Sequence, residues 1–268
     1  MFIPLRDDNP SYSFPFVTMI LIVVNVFIYL ASGLTGATEF VRNLYTFGFI
    51  PAELFHGEVV TQIPSEYLKL IMAEGDSIPK LGTMPAFLTI FTGMFMHGSF
   101  FHLLGNMWFL WLFGDNIEDR MGALKFFLFY ILTGFIAAIA HGLTATNSIV
   151  PAIGASGAIS GVIGAYIILF PNAKIHTLFF YFLITTIRIP AYIFLGFWFI
   201  GQVLSGFYSL GVQGAGIAFF AHIGGFIAGV ILVKLFAKRN VIQLRMPREQ
   251  FYIDSWKQYD EDYDDHWR

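Results

Sequence analysis

The sequence predicts an all-α integral membrane protein, a bundle of six spanning helices with a long interfacial first loop. Three observations carry that expectation: the composition, the spacing of long apolar runs, and a one-sided distribution of Lys and Arg. Of 268 residues, 56% are hydrophobic and 12% charged, with a mean hydropathy of +0.67. A soluble domain cannot hide that much apolar surface. Thirty-two phenylalanines suit lipid-facing helices. The formal net charge of -3 argues against a nucleic-acid partner. Zero cysteines exclude disulfides, thiolate metal sites and a cysteine nucleophile.

The first span, about 14–32 ("FPFVTMILIVVNVFIYLAS"), follows a short N-terminal segment, 1–13, with one Arg and two Asp. The run is too long and its start too acidic for a signal peptide, so it reads as an anchor. The first loop, about 33–87, mixes apolar and charged residues ("TEFVRNLYTFGFIPAELF") and is expected to lie on the outer interface as short amphipathic helices. A span needs roughly 20 apolar residues, about 30 Å at about 1.5 Å each. The second, 99–113, falls short. It is preceded by another apolar stretch, "FLTIFTGMFM" (87–96), and by "HGS", whose Ser99 can cap the helix. The third span is 123–141. The fourth, 155–170, lies between Pro151 and Pro171. That leaves roughly 15 helical residues, about 22 Å, and a recess above its start. The stretch "IHTLFFYFLITTIRIP" (175–190) is short, β-branched and broken by Arg188 and Pro190, which suggests an interfacial loop. The fifth and sixth spans are 191–209 and 216–236. From residue 237 to 268 the chain turns basic ("KLFAKRNVIQLRMPREQ"), then acidic and aromatic ("YDEDYDDHWR"), a solvated tail whose basic part suits anionic lipid.

With six spans, Arg6, Arg120, Lys125, Lys174, Arg188, Lys234 and the basic tail all fall on one side. The other side has only Arg42, Lys69 and Lys80, so the positive-inside rule puts both termini in the cytoplasm. Alternation makes the second, fourth and sixth spans parallel. Ser156 opens the fourth. His222 lies six residues past Gly216, roughly 9 Å down the sixth, while the shortened fourth starts about 8 Å down. On the second span His102 and Asn106 are i and i+4, on one face.

A lone intramembrane Ser usually back-bonds to its own helix, and a lone His usually satisfies a neighbouring one. A hydroxyl, two imidazoles and an amide converging on three parallel helices are another matter, because ionisable groups in lipid are functional by default. Glycines at Gly154, Gly157, Gly161 and Gly164, and a GxxxG at Gly225 and Gly229, permit close helix approach, whether for packing alone or for a site. Between Asp119 and Glu249 there is no Asp or Glu, which rules out a Ser-His-Asp triad within the last four spans and leaves a dyad. Aspartyl and zinc chemistry lack their residues, and GxSxG is incomplete. His56, His141, His176 and His266 are scattered and read as structural or solvated, so no metal site is expected.

At these residues the sequence resembles the rhomboid intramembrane serine proteases. The match covers roughly 85–236, with an echo in "FGFIPAEL" (47–54). The family's GxSG stands as "GASG" (154–157), its AHxxGxxxG as "AHIGGFIAG" (221–229), and its HxxxN as "HLLGN" (102–106). The resemblance implies a rhomboid-like six-helix bundle that hydrolyses peptide bonds in the bilayer without a cofactor. Ser156 would be the nucleophile and His222 the general base. His102, Asn106 and the Ser156 backbone N–H would stabilise the oxyanion, with His97, Gly154, Gly157, Gly225 and Gly229 in support. It further implies single-span membrane substrates cut near the outer face, a lateral gate in the fifth span ("AYIFLGFWFIGQ"), and a bacterial plasma membrane. The oligomeric state is not legible. Two departures stand out. Ser160 replaces an aromatic that in some relatives stacks on the histidine, leaving open what orients His222, and "FLTIF" (87–91) lacks the family's Arg. Two rivals remain: a silent rhomboid-like protein that binds membrane clients, and a transporter, which would need inverted repeats.

Overall fold

The computed structural model describes residues 2–57, 59–60, 63, 69, 84–180, 184–210 and 218–237. Gly216, Lys80 and the tail 238–268 lie outside them. The chain opens with strand β1 (Phe2–Asp7) and continues through α1 (Phe16–Gly33), α2 (Ala37–Phe47), α3 (Pro51–His56) and α4 (Ala86–Thr92). A single 3-10 turn, Gly93–Phe95, leads to α5 (Phe100–Met121), α6 (Ala123–Thr144) and α7 (Ser156–Leu169). A hairpin of β2 (Lys174–Phe180) and β3 (Ile184–Pro190) follows, then α8 (Ala191–Ser209) and α9 (Phe219–Phe236).

Among the described residues, four helices, α1, α6, α8 and α9, are long and apolar enough to cross a membrane. The segment Ala86–Phe95 with α5 makes a fifth if that pair, bent by 79°, is one span. The bend falls at "HGS", and the Ser99 hydroxyl caps the second arm by accepting the His102 N–H at 3.2 Å. With 22 residues, α5 is not the short span expected, because the polar flank beyond residue 113 stays helical. The abbreviated fourth helix is as expected: α7 has 14 residues, about 21 Å. Two of the expected short helices, α2 and α3, occupy the first loop.

The stretch 175–190, expected as a loop, is instead mostly paired. β1, β2 and β3 form a three-stranded antiparallel sheet in that order, with Ile3 opposite Leu178 and His176 opposite Arg188. β-Branched residues fit a pleated surface, and pairing satisfies backbone groups that a loop would leave open. The partner strand, Phe2–Asp7, lies in the short N-terminal segment 1–13, for which no strand is expected from the sequence.

Helix directions follow from the contacts. A Cβ on Gly225 or Gly229 would overlap the carbonyl oxygen of Gly157 or Gly161 respectively, so α7 and α9 ascend together. Ala137 meets Gly157 and Thr133 meets Gly161, so α6 runs against them. Next to α9, Gly206 of α8 faces Phe219 and Ile223 while Trp198 pairs with Phe226, which makes α8 antiparallel to it. The central helix is α7, buried from Gly157 to Tyr166, and the sheet sits at the end opposite Ser156.

Candidate active site

Glycine at 154 has φ of 113°, a left-handed-side conformation that a side chain would strain, and it turns the chain sharply into α7. The loop before it is tied on two sides. Phe49 and Ala152 exchange both backbone hydrogen bonds, at 3.0 and 2.7 Å, and Gly154 N–H donates to Gly93 carbonyl at 2.9 Å. The "FGFIPAEL" segment is therefore a brace for the approach to Ser156. Ser156 is the first residue of α7, so its N–H belongs to the turn whose donors lack helical acceptors.

His222 stands in the first turn of α9, and its Nε2 lies 2.8 Å from Ser156 Oγ. The expected proximity is present, because the glycine seam lets α7 and α9 meet at backbone contact. On the far side of the ring, His222 Nδ1 lies 2.7 Å from Gln202 Oε1. That partner was not foreseen. The signal was available: Gln202 is the single amide in a span quoted for its aromatics, and an amide in lipid needs a partner. One turn earlier on the same face, the Trp198 ring centroid lies 6.2 Å from that of His222. Ser160 cannot supply a ring; its hydroxyl donates to Ser156 carbonyl at 2.6 Å.

His102 and Asn106 come to the same place. A Cβ built at Gly154 would lie 2.7 Å from His102 Cε1 and Nε2 and 3.5 Å from Asn106 Nδ2. Asn106 is buried, and its Nδ2 has no hydrogen-bond partner among the described residues. His97 is 1% exposed and its ring lies 5.1 Å from that of His102, edge to face. Neither His97 nitrogen has a partner among the described residues.

A cavity of about 40 Å³ flanks Ser156, lined by Gly154, Gly157, Met94, Ala138 and His141 among others. It has room for roughly two or three water molecules. His141, expected to be structural or solvated, stands in that wall. His176 is elsewhere, buried in β2 against Asp8. No group of three or more His, Cys, Asp or Glu suited to a metal occurs among the described residues.

Residues 85–239, more than half of the chain, match the Rhomboid domain family. The yeast "Rhomboid protein 1, mitochondrial" of Saccharomyces cerevisiae is 33% identical over 150 residues, 54% of this chain and 40% of that protein. The human "Presenilin-associated rhomboid-like protein, mitochondrial" is 30% identical over 143 residues, 51% of this chain and 34% of that protein. "RHOMBOID-like protein 4" of Arabidopsis thaliana is 33% identical over 138 residues, 51% and 31% respectively. The chain thus spans two fifths or less of the length of these curated relatives.

Proposed function

Because the chain belongs to the rhomboid family, we propose that it is a serine endopeptidase that hydrolyses peptide bonds in or near membrane-spanning segments. One observation carries this reading: a hydroxyl and an imidazole, from two helices that cross at glycine, lie 2.8 Å apart at one end of the bundle.

The chemistry follows from the placement. His222 Nε2 takes the Ser156 proton as Oγ bonds to the substrate carbonyl carbon, giving a tetrahedral oxyanion. Asn106 Nδ2 is a buried donor without a partner among the described residues, the Ser156 N–H lies in the first turn of α7, and His102 flanks them; each donor to the oxyanion is worth about 3–4 kcal/mol in the transition state. Collapse expels the amine, which takes the proton from His222 and leaves an acyl ester on Ser156. Water then attacks that ester with His222 as base, releasing the acid and the free hydroxyl. The cavity beside Ser156 is a place for such water.

The substrate class is single-span membrane proteins. A helix presents its carbonyls only when locally unwound, and lipid penalises that unless protein and water receive the freed groups. The proposal includes six crossings, with the short α7 counted as one because the bundle surrounds it, and both termini on the sheet side. The yeast and human relatives are named as mitochondrial, at odds with a bacterial plasma membrane. The mechanism requires only a bilayer with water at the Ser156 end.

Purified protein in liposomes is expected to cleave a single-span reporter. Ser156→Ala and His222→Ala should each abolish cleavage in folded protein. A fluorophosphonate probe should label Ser156 in the unsubstituted chain and not in His222→Ala. Reporter binding without any cleavage or labelling would overturn the reading in favour of a silent client-binding relative.

A further inference from the structure

We infer that Gln202 is the positioning residue of the histidine base: its side-chain carbonyl accepts the His222 Nδ1 proton and so holds Nε2 bare toward Ser156. The inference rests on the reading of His222 as base, and deepens it by naming what the dyad leaves unassigned.

Each ring nitrogen has its own partner: Gln202 Oε1 lies 2.7 Å from Nδ1 and Ser156 Oγ 2.8 Å from Nε2. A neutral imidazole carries one N–H, and the tautomer is set by what the other nitrogen meets. An acceptor at Nδ1 fixes the proton there, and Nε2 is then the lone pair that faces the serine. The opposite tautomer would point an N–H at Oγ and could take no proton from it. In a serine-protease triad an acidic partner has this task, and loss of the correct tautomer there costs about 10⁴-fold in kcat. Here no Asp or Glu occurs between Asp119 and Glu249, so no carboxylate on the later helices can stand behind the ring. An amide performs the orienting half of that task without bringing a charge into lipid. Trp198, one turn away on the same helix, borders the ring, so α8 supplies both a wall and an anchor.

The placement couples gate and base. α8 buries only Ala191, Leu195 and Gly206, fewer than α1, α6 or α9, the other helices of spanning length. A substrate that displaces the outer half of α8 would carry the Nδ1 acceptor with it.

Gln202→Leu, which keeps bulk and removes the acceptor, is expected to lower kcat on the reporter at least about tenfold with KM little changed. Gln202→Glu, which keeps an acceptor, should retain cleavage and move the acid limb of the pH–rate profile to higher pH. His102 and His141 are the other titratable groups near the ring and are unchanged in both variants. The direct readout is the ¹⁵N spectrum of histidine-labelled protein in micelles, with His222 assigned by its loss in His222→Ala. Nδ1 should be protonated in the unsubstituted chain and in Gln202→Glu, and Nε2 should gain proton population in Gln202→Leu. Unchanged kcat and an unchanged His222 spectrum in Gln202→Leu would overturn the inference while leaving the protease reading intact. If the unsubstituted chain cleaves nothing, the tautomer shift still decides whether Gln202 sets the ring.

Discussion

Glu118 is 2% exposed near the end of α5, yet it is fully engaged. One oxygen accepts the Val17 N–H at 2.9 Å; the other accepts the Thr18 N–H and hydroxyl, both at 2.8 Å. These N–H groups belong to the first turn of α1, which has no side-chain cap of its own and carries the positive end of the helix dipole. Glu118→Ala should therefore destabilise the fold by about 3 kcal/mol, because buried donors lose a charged acceptor. Glu118→Gln, which keeps one acceptor, should cost about half as much. Thermal unfolding in micelles reads both, and the folded fraction should still label at Ser156, since α1 does not reach the site. Sequence alone made Ser156, His222, His102 and Asn106 legible, because polar groups in lipid are rare and their spacings combine. Glu118 was illegible for the opposite reason: a carboxylate at the end of a span looks like an ordinary solvated flank. Gln202 was legible in principle and hidden by the aromatics around it.

Among the elements, the α7–α9 crossing decides whether the site exists. Lipid supplies no hydrophobic drive between helices, so close backbone packing must hold them. Gly225 and Gly229 rest against the carbonyls of Gly157 and Gly161, and Gly164 rests against that of Phe226. The obstacle in each case is backbone, which cannot rotate aside. Gly229→Ala should cost about 3 kcal/mol by forcing the helices apart, and should lower reporter cleavage further by lengthening the Ser156–His222 contact. Gly196→Ala is the matched control. Nothing lies within 4 Å of a Cβ there, and the change should be neutral or slightly stabilising. Equal loss in both variants, by thermal midpoint and cleavage rate, would show that the backbone crossing at Gly229 is not what the substitution disturbs. The helices were legible from run length and proline punctuation. The sheet was not, because a short apolar run with β-branched residues fits a buried strand or an interfacial loop equally well. Its partner strand was also some 170 positions upstream, where no local pattern could announce it.

Over the whole molecule, the candidate dyad and the sheet sit at opposite ends, joined by α7: Ser156 opens it and Tyr166, near its close, donates its hydroxyl proton to Asp7 of β1. Strand β1 is held further by Trp108, whose indole N–H donates to the Pro4 carbonyl at 2.7 Å, and by Asn116 Nδ2, which donates to Asp7 at 3.3 Å. Burial pushes the Asp7 carboxyl up from 3.8 to about 6, against the Tyr166 hydrogen bond and backbone hydrogen bonds that pull it down; the neighbouring Asp8 adds to the rise. The sign follows from linkage. A carboxyl whose pKa is raised by folding favours the protonated native state, so its contribution is fully present below about 3.8 and lost as pH rises through about 6. The sheet end should therefore tighten as pH falls across that window. After allowance for the exposed part of the side chain, the change is on the order of 1–2 kcal/mol. Asp7→Asn keeps an acceptor for Tyr166 and removes the charge, so it should raise stability near neutral pH and flatten the slope. Asp8, Asp115 and His176 are other ionisable side chains near β1, and all three persist in the variant. The difference between the two thermal unfolding curves, followed from about pH 4 to about pH 7.5, isolates Asp7. A difference independent of pH, or one that grows as pH falls, would mean that Asp7 is held as a charged group and that β1 docks through Trp108 and the strand pairing alone.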